Sequence, residues 1–234
     1  PEKLNGYQRL QYDAHIGSQT IVNHSKIKGI LASLDFPIHF LDYETSSTAI
    51  PEFDKFGPWQ QIPFQYSIHI LDSDGSLEHK EYLVQEPIDD MVLTLIKKMS
   101  EEFHAKGAVI VWYAPFERTR NTELASIYPE YSDFLSNVND RMFDLMKVFS
   151  DGYYIDHKFN GRNSIKNVLP VLIPELSYSE LEIQAGHEAP VNWRKIMHKG
   201  YQPSEKKVIA KNLLEYCKMD TLAMVRIYEF LNKL

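Results

Sequence analysis

The sequence predicts an α/β fold in which a mixed sheet is flanked by helices. Three observations lead to this prediction. Segments with period-two hydrophobicity occupy the first third of the chain, and a short continuous apolar segment, AVIVW, is typical of a strand buried on both faces of a parallel sheet. Helical periodicity surrounds that apolar segment and continues to the C-terminus.

The first 35 residues are expected to form an N-terminal arm with one short helix. Residues 1–24 carry little hydrophobic pattern, and the helix is predicted over 25–34 with Ser25 as its N-cap. Residues 36–234 are expected to form one domain, because no repeat, low-complexity tract or long polar linker divides them.

The domain is predicted to begin with three strands. The first covers 36–44 and starts with apolar residues at every second position. Two further strands, over 64–71 and 77–84, are joined by the turn sequence Asp-Ser-Asp-Gly-Ser and therefore form a hairpin. The remaining predicted elements are a helix over 88–104, a strand over 108–112, a helix over 116–127, a short strand over 141–145, a helical stretch over 164–169 and a closing helix from 203 nearly to 234.

Composition and charge indicate a cytoplasmic protein. No apolar run approaches the roughly 20 residues of a membrane span, and the first ten residues lack the layout of a secretion signal. The single cysteine, Cys217, has no internal disulfide partner, as is usual in a reducing compartment. The net charge of −7 gives no overall basic surface for duplex nucleic acid, although a cation-binding site would alter the local field.

Two acids stand where the first strand should present apolar side chains. Asp42 and Glu44 continue the inward face of the strand, about 7 Å apart along it. Burying such a pair requires a cation or a basic partner, because each uncompensated carboxylate costs several kcal/mol. The alternative is that the strand ends there and both acids are solvated.

The closing helix shows a similar interruption. Its core-facing stripe follows steps of three and four residues, and Tyr216 and Asp220 occupy two of its positions. These two side chains are neighbours on the helix surface. A buried hydrogen bond between them, or a stripe that drifts until Asp220 meets solvent, would also explain the pattern.

A fourth acid, Glu117, is expected in the first turn of the helix that follows the buried strand. It could simply stabilise that helix through its dipole. Convergence of Glu117 with Asp42, Glu44 and Asp220 would require metal, and four carboxylates suit two Mg²⁺ or Mn²⁺ ions together with phosphate oxygens.

At these residues the sequence resembles the DnaQ-like (DEDD) 3′-5′ exonucleases, specifically their tyrosine subclass. The first family motif, D-x-E, is matched by Asp42 and Glu44, and the last, Y-x3-D, by Tyr216 and Asp220. The middle motif, Asn followed four residues later by Asp, departs at both positions, where this chain has Tyr113 and Glu117.

Within that superfamily, the sequence is most similar to a bacterial group known as domain of unknown function 2779. The resemblance covers 36–234 and includes PWQQIPFQYSIHIL, FERTR, SIKNVLP and ELSYSELEIQAG. That group also uses Glu at the middle acid, which implies that Glu117 is its normal ligand. Because its members usually carry this domain near the end of a longer protein, this chain is expected to be a C-terminal part with other parent domains as neighbours.

The resemblance implies a ribonuclease H-like sheet, with three antiparallel strands followed by parallel ones, and phosphodiester hydrolysis by two ions about 4 Å apart. Asp42 would bridge both ions. Glu44 and Asp220 would hold the ion on the nucleophile side, Glu117 would serve the second ion, and Tyr216 would orient the attacking water. The expected partner is the 3′ end of single-stranded DNA or RNA.

Candidate substrate contacts are less specific. Lys166, with Arg162 nearby, would suit a phosphate, but a solvated helix end explains it equally well. Gln61 belongs to a segment that could border a nucleotide-stacking surface or pack on the sheet, and Tyr113 replaces the family Asn. Asp144 could support the site or cap a helix. No zinc site is expected at the histidines, since neither His187 nor His198 has a partner at ligand spacing.

Three functions therefore remain open from the sequence. The first is a metal-dependent exonuclease. The second is a catalytically weak nucleic-acid-binding or scaffold domain, which the departures at Tyr113 and Glu117 would favour. The third is a phosphodiesterase for nucleotides or short oligonucleotides, which the lack of a basic track would favour.

Overall fold

The computed structural model describes residues 3–87 and 90–234. Its strands are β1 (Thr20–Val22), β2 (Ile38–Ser46), β3 (Ile62–Leu71), β4 (Leu77–Leu83), β5 (Val109–Val111), β6 (Met142–Asp144) and β7 (Tyr154–Asp156). Its helices are α1 (Gly6–Gly17), α2 (His24–Leu31), α3 (Met91–Glu102), α4 (Ala114–Ile127), α5 (Ser132–Asp140), α6 (Lys147–Ser150), α7 (Ile165–Leu172), α8 (Glu188–Met197) and α9 (Pro203–Asn232).

The predicted α/β fold with a mixed sheet is confirmed. Five strands are arranged in the order β4-β3-β2-β5-β6. Strands β2, β3 and β4 pair antiparallel, whereas β5 and β6 run parallel to β2. The first strand of the sheet is therefore its central one, and helices cover its two faces.

The two faces of β2 pack against different helices. Phe40 contacts Tyr228 of α9, with ring centroids 5.7 Å apart. Tyr43 faces the other way, and its hydroxyl donates to Asn121 of α4 at 2.9 Å and contacts Met99 of α3. Because side chains alternate along a strand, Asp42 and Glu44 share the face of Phe40 and point towards α9.

The N-terminal region is more regular than the sequence pattern predicts. Residues 6–17 form α1, which Asn5 and Gln8 close with a capping box, and Thr20–Val22 pairs antiparallel with β7. Helix α1 was missed because Ala14 is its one fully buried residue, so the helix has almost no apolar stripe. The N-cap of α2 is Asn23 instead of the predicted Ser25; its side chain accepts from the backbone of Lys26.

Four other helices differ from prediction. Helix α3 begins at Met91 instead of residue 88, with Asp90 as its N-cap; Ile88 and Asp89 lie outside the described residues. Helices α5 and α6 have no counterpart in the predictions, and neither has helix α8. Helix α8 places Trp193 on Phe64 of β3, with stacked rings 4.6 Å apart.

None of the helices in the two described ranges is long and apolar enough to cross a membrane.

The start of β5 depends on close approach of two backbone segments. Gly107 has φ +91, and a methyl group on its Cα would lie 2.0 Å from the carbonyl oxygen of Pro37. Gly75, in the β3–β4 turn, has a similar φ of +86, with open space around the same position. The two glycines therefore share the backbone conformation and differ in steric surroundings.

We expect Gly107→Ala to lower the free energy of unfolding by about 3 kcal/mol or more, because a backbone atom blocks the new methyl group. Gly75→Ala is the matched control, and its left-handed conformation alone should cost about 1–2 kcal/mol. Urea denaturation of both variants measures the difference. Equal destabilisation would contradict the close packing of Gly107 on Pro37.

Candidate active site

The two strand acids meet helix α9 at the end of β2. Asp42 is partly buried and Glu44 is buried, with 8% of its surface exposed. The thiol of Cys217 contacts Asp42, with its Sγ 3.6 Å from Oδ2. One ligand atom from each of Asp42, Glu44 and Cys217 lies within 4.8 Å of the other two. The strand and the helix thus bring three metal-ligating side chains together.

Asp220 lies on the same helix and is held by a tyrosine from outside it. The hydroxyl of Tyr178 donates to Oδ1 of Asp220 at 2.6 Å, and this bond is buried. Tyr178 belongs to a short 3-10 turn between α7 and α8. Asp220 does not face solvent, since only 8% of the residue is exposed. The alternative in which the helix stripe drifts until Asp220 meets solvent is therefore excluded.

A cleft of about 270 Å³ opens beside these acids. Strand β2 and helix α9 each contribute three residues to its lining: Asp42, Tyr43 and Glu44 from β2, and Tyr216, Asp220 and Met224 from α9. The remaining wall comes from Trp112, Ser164, Ile165 and Lys166. The predicted site residues of the first strand and the last helix are therefore brought together.

Lys166 reaches into this cleft from α7. Its Nζ donates to the hydroxyl of Tyr216 at 2.9 Å and to the carbonyl oxygen of Gln184 at 2.6 Å. The ammonium also lies over the rings of Tyr178 and Tyr216, at 5.1 and 4.8 Å from their centroids. Lys166 thus has specific partners and is not a freely solvated helix end.

The acids of the cleft are electrostatically unfavourable as a group. Burial, followed by the charge of Asp220, raises the pKa of Asp42 well above its usual value. Burial, followed by the charges of Asp42 and Asp220, does the same for the pKa of Glu44. Burial raises the pKa of Asp220 to about 6, although the hydrogen bond from Tyr178 and the charge of Lys166 oppose the shift.

No basic side chain neutralises this group by direct contact. Across residues 3–87 and 90–234, no lysine or arginine forms an ion pair with Asp42, Glu44 or Asp220. Lys166 lowers the pKa of all three acids through its charge, without an ion pair. Carboxylate oxygens gathered in this way are suitable ligands for a hard divalent cation.

Glu117 is near the cluster but does not line the cleft. It lies in the first turn of α4 with 2% of its surface exposed, and its Oε2 has no hydrogen-bond partner among the described residues. Burial raises the pKa of Glu117, with a further contribution from the charge of Asp42. Asp42 is thus coupled both to the acids of the cleft and to Glu117.

The turn before Glu117 is organised by Asp144. Its carboxylate accepts from the backbone N–H groups of Tyr113 at 3.1 Å, Ala114 at 3.0 Å and Met146 at 3.1 Å. Of the two roles considered for Asp144, these bonds match the helix cap. Tyr113 itself is 52% exposed, has φ +78 and does not belong to the cleft lining.

Gln61 is placed close to the end of β2 but outside the cleft lining. Its Oε1 accepts from the hydroxyl of Thr45 at 2.8 Å, and its Nε2 donates to Ser47 at 3.4 Å. Its polar groups therefore support the segment that follows Glu44.

Two site residues were missed by sequence reasoning. The sequence indicates only that Cys217 has no disulfide partner, whereas in the structure its Sγ contacts Asp42 of β2. Tyr178 lies in a segment without hydrophobic periodicity, so no pattern in the sequence connects it to Asp220. Only the three-dimensional contact identifies it.

Comparison with known proteins gives relatives that are themselves described as uncharacterized. The chain is 26% identical over 228 residues to "Uncharacterized protein MG366 homolog" of Mycoplasma pneumoniae, covering 88% of this chain and 34% of that protein. It is 25% identical to "Uncharacterized protein MG366" of Mycoplasma genitalium, covering 83% of this chain and 32% of that protein. The chain spans about a third of the length of these curated relatives.

No solved structure gives a significant match to the chain. A family model does: the model of the domain of unknown function DUF2779 matches residues 39–164. The matched range begins at the second residue of β2 and ends directly before α7. It contains Asp42, Glu44 and Glu117. Because this range is more than half of the chain, the protein belongs to the DUF2779 family.

Proposed function

We propose that this chain is a divalent-metal-dependent 3′-5′ exonuclease of the DnaQ-like type, hydrolysing phosphodiester bonds of DNA or RNA. One observation carries the proposal. Asp42 and Glu44 from a strand, and Asp220 from a helix far along the chain, line one cleft without an ion pair to a basic residue of the described chain. Such a group needs cations to remain ionised together.

The sheet topology supports the same proposal. A ribonuclease H-like sheet is expected to have three antiparallel strands followed by parallel ones, and β2 to β6 pair in this manner. The acids also stand at the end of the central strand, where the neighbouring β5 and β6 run in the same direction. Ligand sites in α/β sheets occur at the carboxyl ends of such strands.

The chain's residues have separable roles in this proposal. Bound Mg²⁺ or Mn²⁺ would supply an activated water and would stabilise the leaving oxygen. Asp42, Glu44 and Asp220 would hold the ions, with Asp220 oriented by Tyr178. Glu117 would serve the second ion from the interior side of Asp42, with which it is electrostatically coupled.

Tyr216 would act through hydrogen bonds. Burial, followed by the charge of Asp220, raises its pKa above the usual value, so the phenol keeps its proton at neutral pH. The hydroxyl accepts from Lys166, and its own proton, which also helps to lower the pKa of Asp220, would orient a water or a phosphate oxygen. Lys166 would contribute positive charge towards a substrate phosphate on the same wall of the cleft.

A catalytically weak nucleic-acid-binding domain is a second candidate, and the position of Glu117 favours it. Glu117 is buried, does not line the cleft and has one carboxylate oxygen without a partner among the described residues. A second ion that depends on Glu117 would therefore bind weakly, and retention of nucleic acid without cleavage would be the expected behaviour.

A nucleotide or short-oligonucleotide phosphodiesterase is a third candidate. Lys166 is the one basic residue in the lining of a cleft of about 270 Å³, so long-range attraction of a polyanion is weak there. Cleavage assays with single-stranded DNA, RNA and dinucleotides separate the three candidates.

Nuclease activity is expected to depend on the acids of the cleft. With labelled single-stranded DNA, RNA and dinucleotides in Mg²⁺ or Mn²⁺, we expect shortening from the 3′ end. Asp42→Asn and Asp220→Asn should each lower the rate by at least about a hundredfold, because each removes a charged ligand. Glu215→Gln is the matched control, since it removes an acid from the same helix at a residue paired with Lys211. Cleavage of dinucleotides alone would support the third candidate.

Binding of single strands without cleavage would support the second candidate. Activity of Asp42→Asn at the level of the unmodified chain would contradict the exonuclease proposal, provided that Glu215→Gln behaves alike.

The stability of the metal-free protein in EDTA is expected to depend on pH through Asp220. The pKa of Asp220 in the folded protein is about 6, above its usual 3.8, so folding favours its protonated form. The stability associated with this group is therefore fully present below about pH 4 and is lost as the pH rises through about 6. Relative to Asp220→Asn, the unmodified chain should lose up to about 3 kcal/mol over this range.

Urea denaturation at several pH values checks this expectation. Adding Mg²⁺ at pH 7 should restore stability in the unmodified chain more than in Asp220→Asn, because the ion compensates the charge. If the difference in free energy of unfolding between the two proteins were the same at pH 4 and pH 7, the raised pKa of Asp220 would be contradicted.

Tyr178 is expected to support metal binding through its hydrogen bond to Asp220. Tyr178→Phe removes the hydroxyl that orients Asp220, and we expect Mn²⁺ affinity to fall by about 10- to 100-fold, as for other groups that support a ligand. Tyr128→Phe is the matched control, because Tyr128 also donates to an aspartate, Asp90, away from the cleft. Isothermal titration with Mn²⁺ measures both. An equal effect of the two variants would argue against a positioning role for Tyr178.

A further inference from the structure

We propose that Asp42, Glu44 and Cys217 form a binding site for one thiophilic divalent ion, Zn²⁺ or Cd²⁺, distinct in its ligands from the all-oxygen site for Mg²⁺ or Mn²⁺. The proposal that the ion binds depends only on these three side chains. The further expectation that the bound ion inhibits hydrolysis rests on the proposed exonuclease function, because the ion would occupy Asp42 and Glu44.

The spacing of the donor atoms suits a tetrahedral ion. Zinc lies about 2.3 Å from a cysteine sulfur and about 2.0–2.2 Å from a carboxylate oxygen, which at a tetrahedral angle separates sulfur and oxygen by about 3.5–3.7 Å. The Sγ of Cys217 is 3.6 Å from Oδ2 of Asp42. Donor atoms of Asp42, Glu44 and Cys217 all lie within 4.8 Å of one another, so a small movement of Glu44 completes the set.

Glu44 gives a second, independent indication of a ligand. Its side chain is more than nine-tenths buried, yet none of the hydrogen bonds among the described residues reaches its carboxylate. Buried carboxylates are ordinarily hydrogen-bonded, paired or bound to a metal. Glu44 faces the same cleft as Asp42 and is therefore aimed at the proposed site.

The thiol of Cys217 gives the three residues a preference for soft divalent ions. Cys217 now donates its S–H to Asp42. A bound Zn²⁺ or Cd²⁺ would replace this proton on sulfur, and the proton would pass to the buffer. Mg²⁺ takes oxygen ligands and would leave the thiol protonated, whereas thiolate favours zinc and other soft ions.

The composition of the chain makes this site directly observable. Cys217 is the only cysteine, so any thiolate-to-metal absorption band belongs to it. We expect Cd²⁺ to produce an ultraviolet charge-transfer band with the purified chain, saturating at one ion per chain. Cys217→Ser should abolish the band and weaken Cd²⁺ binding by at least about tenfold, the lower range for loss of a supporting group.

Glu44→Gln tests the second ligand, and Glu215→Gln is its matched control. We expect Glu44→Gln to weaken Cd²⁺ binding by about tenfold or more, and Glu215→Gln to leave the band unchanged because Glu215 pairs with Lys211 on the helix surface. Absence of the band in the folded, unmodified chain would overturn the proposal. So would equal Cd²⁺ affinity in the unmodified chain and Cys217→Ser, since the thiol would then not be a ligand.

Inhibition of Mn²⁺-dependent hydrolysis by Zn²⁺ tests the thiophilic site separately from the exonuclease function. The Mn²⁺-dependent rates of the unmodified chain and of Cys217→Ser are measured with increasing Zn²⁺. Each rate is expressed relative to the rate of the same protein without Zn²⁺. Cys217→Ser should require about tenfold more Zn²⁺ for half inhibition. A cadmium band in a chain without nuclease activity would sustain the thiophilic site and refute the enzyme, whereas nuclease activity without a band would do the reverse.

Discussion

Apolar packing between β2 and α9 holds like charges together, and this constraint determines the character of the candidate site. Asp42, Glu44 and Asp220 are placed there by apolar packing along the same two elements, such as the contact of Phe40 with Tyr228. Because a strand and a helix each carry the acids on their core-facing side, burying the apolar residues forces the carboxylates together. The hydrophobic core therefore supplies the free energy that keeps an electrostatically unfavourable cluster in place.

Two neighbouring groups limit this repulsion without abolishing it. Tyr178 donates a buried hydrogen bond to Asp220, which holds the pKa of that acid at about 6 despite its burial. Lys166 bonds to Tyr216 and acts on the acids through its charge alone. A direct ion pair would have satisfied one carboxylate and closed the cleft. The observed arrangement leaves the oxygens available to a ligand, which is the property expected of a binding site and not of a structural salt bridge.

The sequence predicted those parts of the fold and site that follow from periodicity. The strand alternation placed Asp42 and Glu44 on one face, and the stripe of α9 placed Asp220 opposite them. Helix α1 escaped prediction because it is polar on nearly all sides and depends on the side-chain cap of Asn5. Tyr178 escaped it because a hydrogen bond from an irregular segment leaves no periodic signal, and such contacts are set by tertiary packing.

Asp42 has a position that none of the other acids shares. The charge of Asp220 acts on it from the cleft, and its own charge raises the pKa of Glu117 on the interior side. Asp42 therefore faces acids on two sides, whereas Glu44 and Asp220 line the cleft only. Glu117 is the most deeply buried acid of this group, and its Oε2 has no hydrogen-bond partner among the described residues. Neither Tyr178 nor Lys166 donates a hydrogen bond to Glu117 among the described residues, so the repulsion between Glu117 and Asp42 is the part of the cluster that those two groups leave unrelieved.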